Sequence, residues 1–194
     1  MIKRQKLLIL GAGGHGKAVA EAALLSGKWR DVAFVDDCWP QKSTVFGIKI
    51  VSNIEGLSQI ASEWTAAIPA IGNNVLRQQW MRIISSMNMP MATVIHPSAC
   101  VSSSAIIGNG SAIMALAMVG VDVKMGQGVI INAHSTVDHD VVLGDFVHLG
   151  VGTHLAGGVK IGDNCWLQVG SCAGYRVVLA DNHICQPGTI FSVL

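Results

Sequence analysis

Val137-Asp-His-Asp-Val-Val-Leu143-Gly-Asp-Phe-Val-His-Leu149-Gly-Val-Gly-Thr-His-Leu155 carries the rule that organises about half of the chain. A large aliphatic residue returns at every sixth place. The column runs from Val101, Ile107, Ile113, Val119, Met125 and Ile131 on one side to Ile161, Leu167, Leu179 and Phe191 on the other, and thirteen of its sixteen positions are Val, Ile, Leu or Met. Two residues before each lies a second column, small or β-branched, that includes Ala105, Ser111, Ala117, Val123, Ser135 and Thr153. Glycine often follows the large residue, as at Gly108, Gly120, Gly126, Gly144, Gly150 and Gly162.

A period of six fits neither an α-helix nor an alternating strand, but it fits a chain wound as a triangular prism, with one face per hexapeptide and three faces per coil. The large residues then stack inward on their equivalents one coil away, about 4.8 Å along the axis. Gly, Asn and Asp at the corners tolerate the turns. The pattern predicts a left-handed parallel β-helix, an exception to the usual right-handed crossover. A β-sandwich would place its turns at irregular intervals of about 8–12 residues, and the hexapeptide register does not slip.

Composition narrows the function classes. At 194 residues and 51% hydrophobic content, the chain has room for one or two domains with sizeable cores. A net charge of +1, with 13 Lys and Arg scattered along the sequence, argues against nucleic acid as a partner. The five cysteines are odd in number and form no CxxC pair, so they read as buried thiols of a reducing compartment, not as a disulfide frame or a zinc site. The opening Met1-Ile-Lys-Arg-Gln-Lys leads into an apolar run too short for a signal peptide or a membrane span, so a cytoplasmic protein with no membrane span is expected.

The first 92 residues read as a nucleotide-binding α/β unit, and residues 93–194 as the β-helix. A short apolar strand, Lys6 to Leu10, breaks into Gly11-Ala-Gly-Gly-His-Gly-Lys17 ahead of a helical pattern from Ala18 to Ser26. A second strand, Val32 to Val35, ends in Asp36-Asp37. Strand, G-x-G-x-x-G turn, helix, strand and acid form the opening of a Rossmann-like βαβ unit, whose glycines admit a ligand and whose helix amides face anionic oxygens. About 90 residues are too few for the two halves of a dinucleotide fold, which favours a mononucleotide over NAD. A third strand, Ile48 to Val51, a helix over 53–62 and a strand ending in Gly72-Asn-Asn74 follow. Gly13, His15, Asp36, Asp37 and Gly72 all fall at carboxyl ends of strands, where ligands gather in parallel sheets. The helix from Val75 to Met87 carries Arg77 and Arg82, both assigned to packing.

Of the seven histidines, His139 stands out in Val137-Asp-His-Asp140, two residues past an inward Val and flanked by carboxylates. An imidazole there can take a proton, and an adjacent acid can hold its tautomer and stabilise the imidazolium. His148 and His154 each precede an inward Leu and face outward on adjacent faces, so they diverge and suit no metal; His134, His154 and His183 read as solvated. No Ser or Cys has a partner at suggestive spacing, so direct attack by an acceptor on a thioester is the simpler chemistry.

Both halves resemble one family, the bacterial hexapeptide-repeat sugar acetyltransferases, which include UDP-4-amino-sugar N-acetyltransferases and sialic acid O-acetyltransferases. The motifs that carry the resemblance are Gly11 to Lys17, Val35-Asp-Asp37, Ala70-Ile-Gly-Asn-Asn74, Ile95-His-Pro-Ser98 and Val137 to Asp140, in that order. The resemblance implies a homotrimer of chains with a three-stranded sugar-nucleotide domain and a β-helix, with acetyl-CoA lying between neighbouring helices. It further implies His139 as general base and Asp140 as its acid partner. Gly13, Gly14 and His15 then belong to the loop at the diphosphate, Asp36 and Asp37 to the base or ribose, and Gly72 to the substrate. His148 and Val169 would line the acetyl-CoA cleft, with Asn132 close to the base. Gln186-Pro-Gly188 stands where family members keep a glycine-rich tail, so a last coil with exposed apolar side chains is expected.

The expected reaction is acetyl transfer from acetyl-CoA to the amine of a nucleotide-linked 4-amino-4,6-dideoxy sugar, in surface polysaccharide synthesis. The alternatives are O-acetylation of a sugar of the sialic acid type and a non-catalytic sugar-nucleotide-binding trimer.

Overall fold

The structure is a computed structural model that describes residues 5–192; the first four residues of the N-terminal run and the last two of the chain lie outside the described residues. The chain divides into two compact units between Val94 and Ile95.

In the first unit, β1 (Gln5–Leu10) lies between β2 (Trp29–Val35) and β5 (Ala66–Pro69), parallel to both, and β4 (Ile48–Ser52) pairs in parallel with β2. A two-residue β3 (Thr44–Val45) runs antiparallel along β4, completing the order β3-β4-β2-β1-β5. The sheet therefore has four parallel strands and an edge, not the three strands that the resemblance implied. Leu7, Leu8, Ile9 and Leu10 are all fully buried, as a central parallel strand covered on both faces requires.

Two helices differ from expectation. Helix α1 (Gly14–Leu25) starts four residues before the amphipathic pattern, because extended Gly13 (φ −76°, ψ −165°) serves as its N-cap and the first turn is built from glycine and histidine, which carry no apolar signal. The expected helix over 53–62 shrinks to α2 (Leu57–Ile60) and a 3₁₀ turn (Ala61–Glu63). Asn53 spends its side chain on a local turn, its Oδ1 accepting from the Gly56 amide at 2.9 Å, and so delays the helix. Helix α3 (Asn74–Ser86) is capped by Asn73, whose Oδ1 accepts from the Leu76 amide at 2.9 Å.

The second unit is a left-handed parallel β-helix of two-residue strands in three sheets, each strand pairing in parallel with its equivalent on the next coil. The register is constant: Met118 pairs with Cys100 and Thr136, and Lys124 with Ile106 and Val142. Ile113, Ile131, Val137, Leu149 and Leu167 are fully buried along the axis. From Ser111 to Val177 the second column is buried too, and its hydroxyls are satisfied within the coil. Ser111 Oγ donates to Gly108 O, and Ser135 Oγ and Thr153 Oγ1 both donate to Gly150 O, each at 2.8 Å.

The corners correct one detail of the repeat. The left-handed residue lies three places after the large one, and Leu116 (φ 58°), Phe146 (φ 60°) and Arg176 (φ 59°) adopt it as well as Gly, Asn and Asp. Gly126, Gly144 and Gly162, which directly follow the large residue, serve a different purpose. A Cβ on any of them would strike an Asp carboxylate of the next coil: Asp145, Asp163 and Asp181 in turn. Asp163 Oδ1 accepts from the Asp145 amide and Asp181 Oδ1 from the Asp163 amide, both at 2.8 Å, so the glycines make room for a ladder of side-chain caps.

The coil continues in register to its end. Ala173 and Cys185 remain buried, and Ile190–Phe191 pairs with Cys172–Ala173, while the third face is reduced to a single bridge between Trp166 and Ile184. Outward Ile184 and Ile190 are 63% and 75% exposed.

Candidate functional site

The first unit gathers its candidate residues at the carboxyl ends of β1, β2 and β5. The three motif glycines have separate physical reasons. Gly11 needs φ +102°, a conformation that disfavours a side chain, and Gly16 packs so close that a Cβ would strike the Gly11 carbonyl. Gly13 and Gly14 are exposed, and a Cβ on either would meet nothing within 4 Å. Neither conformation nor packing demands glycine there, and without side chains at these positions the amides that open α1 stay open to close approach.

Asp36 holds this loop in place: its Oδ2 accepts from the Ala12 amide at 2.7 Å and its Oδ1 from the Cys38 amide at 3.0 Å. Burial acts to raise its pKa, but the hydrogen bonds from Cys38 and Ala12, with Lys42 nearby, outweigh it and hold the carboxyl below its usual value. Ligand contacts from Asp36 would therefore use its remaining lone pairs. Exposed Asp37 accepts from the Ile54 amide at 3.0 Å, beside a cleft of about 470 Å³ lined by Trp39, Val51, Ser52, Asn53 and Glu55.

Arg77 is more than packing. It is fully buried, with Nη1 donating to the carbonyls of Ile71 (3.0 Å) and Gly72 (3.2 Å) and Nη2 donating to Asn74 Oδ1 (2.8 Å). Burial lowers its pKa to about 9. The guanidinium thus shapes the backbone at Gly72, and its charge reaches His15. His15 keeps some surface, but its Nε2 is buried with no hydrogen-bond partner; burial first and Arg77 second lower its pKa to about 4, so the ring is neutral at pH 7. The signal for Arg77 was present in the sequence: residues 77, 80, 81 and 84 form one helical stripe with Trp80, Met81 and Ile84, all buried.

The second unit presents His139 at a corner of the coil. Asp140 takes the left-handed conformation (φ 60°), which swings its side chain back beside its neighbour's, and His139 Nδ1 donates to Asp140 Oδ2 at 2.8 Å. Asp138 completes the pair: its Oδ1 accepts from the His139 amide at 2.8 Å and its Oδ2 lies 3.9 Å from Nε2. The hydrogen bond to Asp140 is the largest influence and the charge of Asp138 the next; together they raise the His139 pKa. The ring remains 55% exposed, so Nε2 can accept a proton from a substrate.

His148, Val169 and Asn132 lie elsewhere on the prism. Val169 is 51% exposed at the corner column that also holds Ala133 and Val151, whereas His139 shares its corner with Val121 and Tyr175. Asn132 Oδ1 accepts from the Ala133 amide at 2.9 Å. His148 points away from the coil as expected but is not open to solvent: it is 7% exposed, its ring stacked on Trp166 at 5.1 Å and 5°. His134, His154 and His183 are exposed; His154 Nδ1 bonds Thr136 Oγ1 at 2.8 Å and His183 lies edge-on to Phe191.

Comparison with known proteins joins these features. Residues 6–84 match the family model of the PglD N-terminal domain. A curated relative, UDP-N-acetylbacillosamine N-acetyltransferase of Bacillus subtilis, is 35% identical over 117 residues, 57% of this chain, and the chain spans about half of that protein's length, 52%. The acetyltransferase domain of PglB from Neisseria gonorrhoeae, solved in complex with acetyl coenzyme A, is 34% identical with a TM-score of 0.91, over 97% of this chain and 93% of that one. A histidine-to-asparagine mutant of perosamine N-acetyltransferase from Caulobacter crescentus, in complex with CoA and GDP-perosamine, is 34% identical with a TM-score of 0.90, over 95% of this chain and 87% of that one. With a third of its residues shared along nearly the full length of such proteins, and a glycine-loop α/β unit ahead of a three-sided coil, the chain belongs to the bacterial hexapeptide-repeat sugar acetyltransferases.

Proposed function

We propose that this chain transfers an acetyl group from acetyl-CoA to the amine of a nucleotide-linked 4-amino-4,6-dideoxy sugar, with His139 as general base. The observation that carries the reading is the His139–Asp140 pair, with Nδ1 bound at 2.8 Å and Nε2 left free to work, on a fold whose relatives include complexes with acetyl coenzyme A and with GDP-perosamine. Acetyl-CoA, when bound, supplies the thioester. As the sugar nitrogen bonds to the acyl carbon, His139 Nε2 takes the proton it sheds, and the imidazolium returns that proton to the departing thiolate. Asp140 keeps Nδ1 protonated so that Nε2 carries the lone pair, and Asp138 stabilises the positive ring.

Gly13, Gly14 and the opening amides of α1 suit a diphosphate, His15 and Gly72 a neighbouring substrate contact, and Asp36 and Asp37 the ribose or base. Val169 suits an acetyl-CoA cleft completed by a second copy, because its corner differs from that of His139; we assign His148 and Asn132 to the same cleft as supports for its wall. We also assign the chain to a homotrimer: on one sheet face exposed Ile106 (62%), Val142 (38%) and Val178 (69%) alternate with exposed Lys124 and Lys160, so that face offers a neighbour apolar contacts flanked by cations. Of the five free thiols only Cys165 and Cys185 are buried as expected, Cys38 and Cys172 being half-buried and Cys100, on an outward position of the first coil, exposed; unpaired cysteines suit a reducing cytoplasm, and among the described residues no helix is long and apolar enough to cross a membrane.

The test follows release of CoA thiol with UDP-, dTDP- and GDP-linked 4-amino-4,6-dideoxy sugars, beside hydroxyl acceptors such as sialic acid. Transfer to an amino sugar that falls at least ~100-fold in His139→Ala supports the reading. Transfer to hydroxyl acceptors only, or an unchanged rate in the variant, removes it. Sedimentation at a mass about three times the 20.4 kDa chain supports the trimer, and a monomer excludes it.

A further inference from the structure

Val121, His139, Gly157 and Tyr175 occupy one place on successive coils. The stacking is recorded in the backbone: the Asp140 amide donates to Val121 O at 3.0 Å, the Gly158 amide to His139 O at 3.0 Å and the Arg176 amide to Gly157 O at 3.1 Å. This place tolerates side chains, since Val121 and Tyr175 project from it with 56% and 66% exposure. Nor does it require a left-handed backbone. The left-handed residue of this corner is the following one, at Asp122, Asp140, Gly158 and Arg176. Neither conformation nor the coil's own backbone therefore explains a glycine at 157.

The imidazole of His139 does explain it. A Cβ at 157 would lie 2.5 Å from His139 Nε2, 2.6 Å from Cε1 and 3.2 Å from Cδ2. At Gly120 and Gly150 of the same repeat, the obstacle is backbone of the next coil. At Gly157 the three nearest atoms all belong to the ring. We infer that Gly157 is a positioning residue, whose bare backbone is the seat on which the His139 ring lies, turned along the stack with Nδ1 on Asp140.

The catalytic consequence rests on the proposed role of His139, but the placement of the ring does not. A methyl group at 157 forces the ring off its seat, and a ring that is 55% exposed has solvent to move into, so the coil folds while the base is misplaced. Leaving the seat lengthens the 2.8 Å bond to Asp140 and moves Nε2 away from Asp138. Because those two contacts raise the proton affinity of His139, displacement lowers it toward the ordinary 6.5.

The experiment compares wild type, Gly157→Ala and Val121→Ala by nuclear magnetic resonance titration of the His139 ring and by acetyl-transfer kinetics. Gly157→Ala is expected to lower the His139 midpoint and kcat, the latter by roughly 10-fold or more, whereas Val121→Ala leaves the midpoint in place. In a His139→Ala background, Gly157→Ala is expected to change the residual rate less than about twofold, since residues acting through one another are not additive. An unmoved midpoint in folded Gly157→Ala overturns the inference, and so does an equal loss in both backgrounds, which would mean that Gly157 acts apart from His139. If the variant fails to fold, a nuclear Overhauser contact between the His139 ring and the Gly157 Hα protons in wild type decides the matter, and its absence overturns the inference. The titration and the Overhauser contact need no acetyl transfer, so a chain inactive on every acceptor would remove the proposed function and leave this inference standing or falling separately.

Discussion

Replacing His15 by Gln should change how stability depends on pH, by an amount that the structure sets. The His15 pKa falls from 6.5 to about 4 in the folded chain, chiefly through burial and secondarily through Arg77. Above pH 6.5 the ring is neutral both folded and unfolded, and its contribution is constant. Between pH 6.5 and about 4 the unfolded chain binds a proton that the folded chain refuses, so stability is lost as pH falls, at about 1.4 kcal/mol per pH unit. The whole window comes to about 3 kcal/mol. Every other titrating group is common to wild type and His15→Gln, so the difference between their unfolding free energies isolates this one. Urea unfolding followed by tryptophan fluorescence suits the measurement, because Trp29, Trp39, Trp64 and Trp80 all lie in the unit that holds His15. Wild type should lose about 3 kcal/mol relative to the variant between pH 7 and 4. In Arg77→Met the slope should survive in part, since burial outweighs the arginine. A wild-type-minus-variant difference that stays flat to within about 0.5 kcal/mol over that range would refute the reasoning, since a neutral, buried His15 could not produce it.

Three further outcomes are expected. Activity of the wild type should rise with pH through a midpoint above the ordinary histidine value, because the base must be neutral and its neighbours raise its pKa; Asp140→Asn should move that limb to lower pH and reduce kcat, as a pH–rate profile would show. Leu149→Ala, at a fully buried axial position, should cost about 2–5 kcal/mol in denaturant unfolding, and a loss below about 1 kcal/mol would contradict the packing. Gly13→Ala should fold as well as wild type yet bind a nucleotide sugar more weakly by calorimetry, whereas Gly16→Ala, whose Cβ would strike the Gly11 carbonyl, should lose thermal stability.

The β-helix is readable in one dimension because its order is one-dimensional. Each inward side chain packs on its own equivalent one coil away, so the contact map repeats in the sequence as a column from Val101 to Phe191. The glycine loop is readable for a similar reason: Gly11 answers its own left-handed φ and Gly16 the nearby Gly11 carbonyl, although a Cβ on Gly11 would also meet the distant Ala70 carbonyl. Asp36 is tied to the loop by a bond 24 residues long, yet its place at a strand end after a glycine turn was foreseeable from the topology of the motif. The ring stacking of His148 on Trp166 obeys the coil spacing, but facing outward does not distinguish a residue in solvent from one that is covered.

Residue order was therefore enough for the winding, the register, the place of the glycine loop and the histidine between two acids. Rotamers and burial were settled in three dimensions: that Arg77 turns inward to bind the carbonyls of Ile71 and Gly72, that His15 is neutral beside it, and that the His139 ring lies down over Gly157. The physical reason is that periodicity records which backbone positions face the axis, whereas the direction of a polar side chain and the protonation of its ring depend on atoms that sequence spacing does not bring into view.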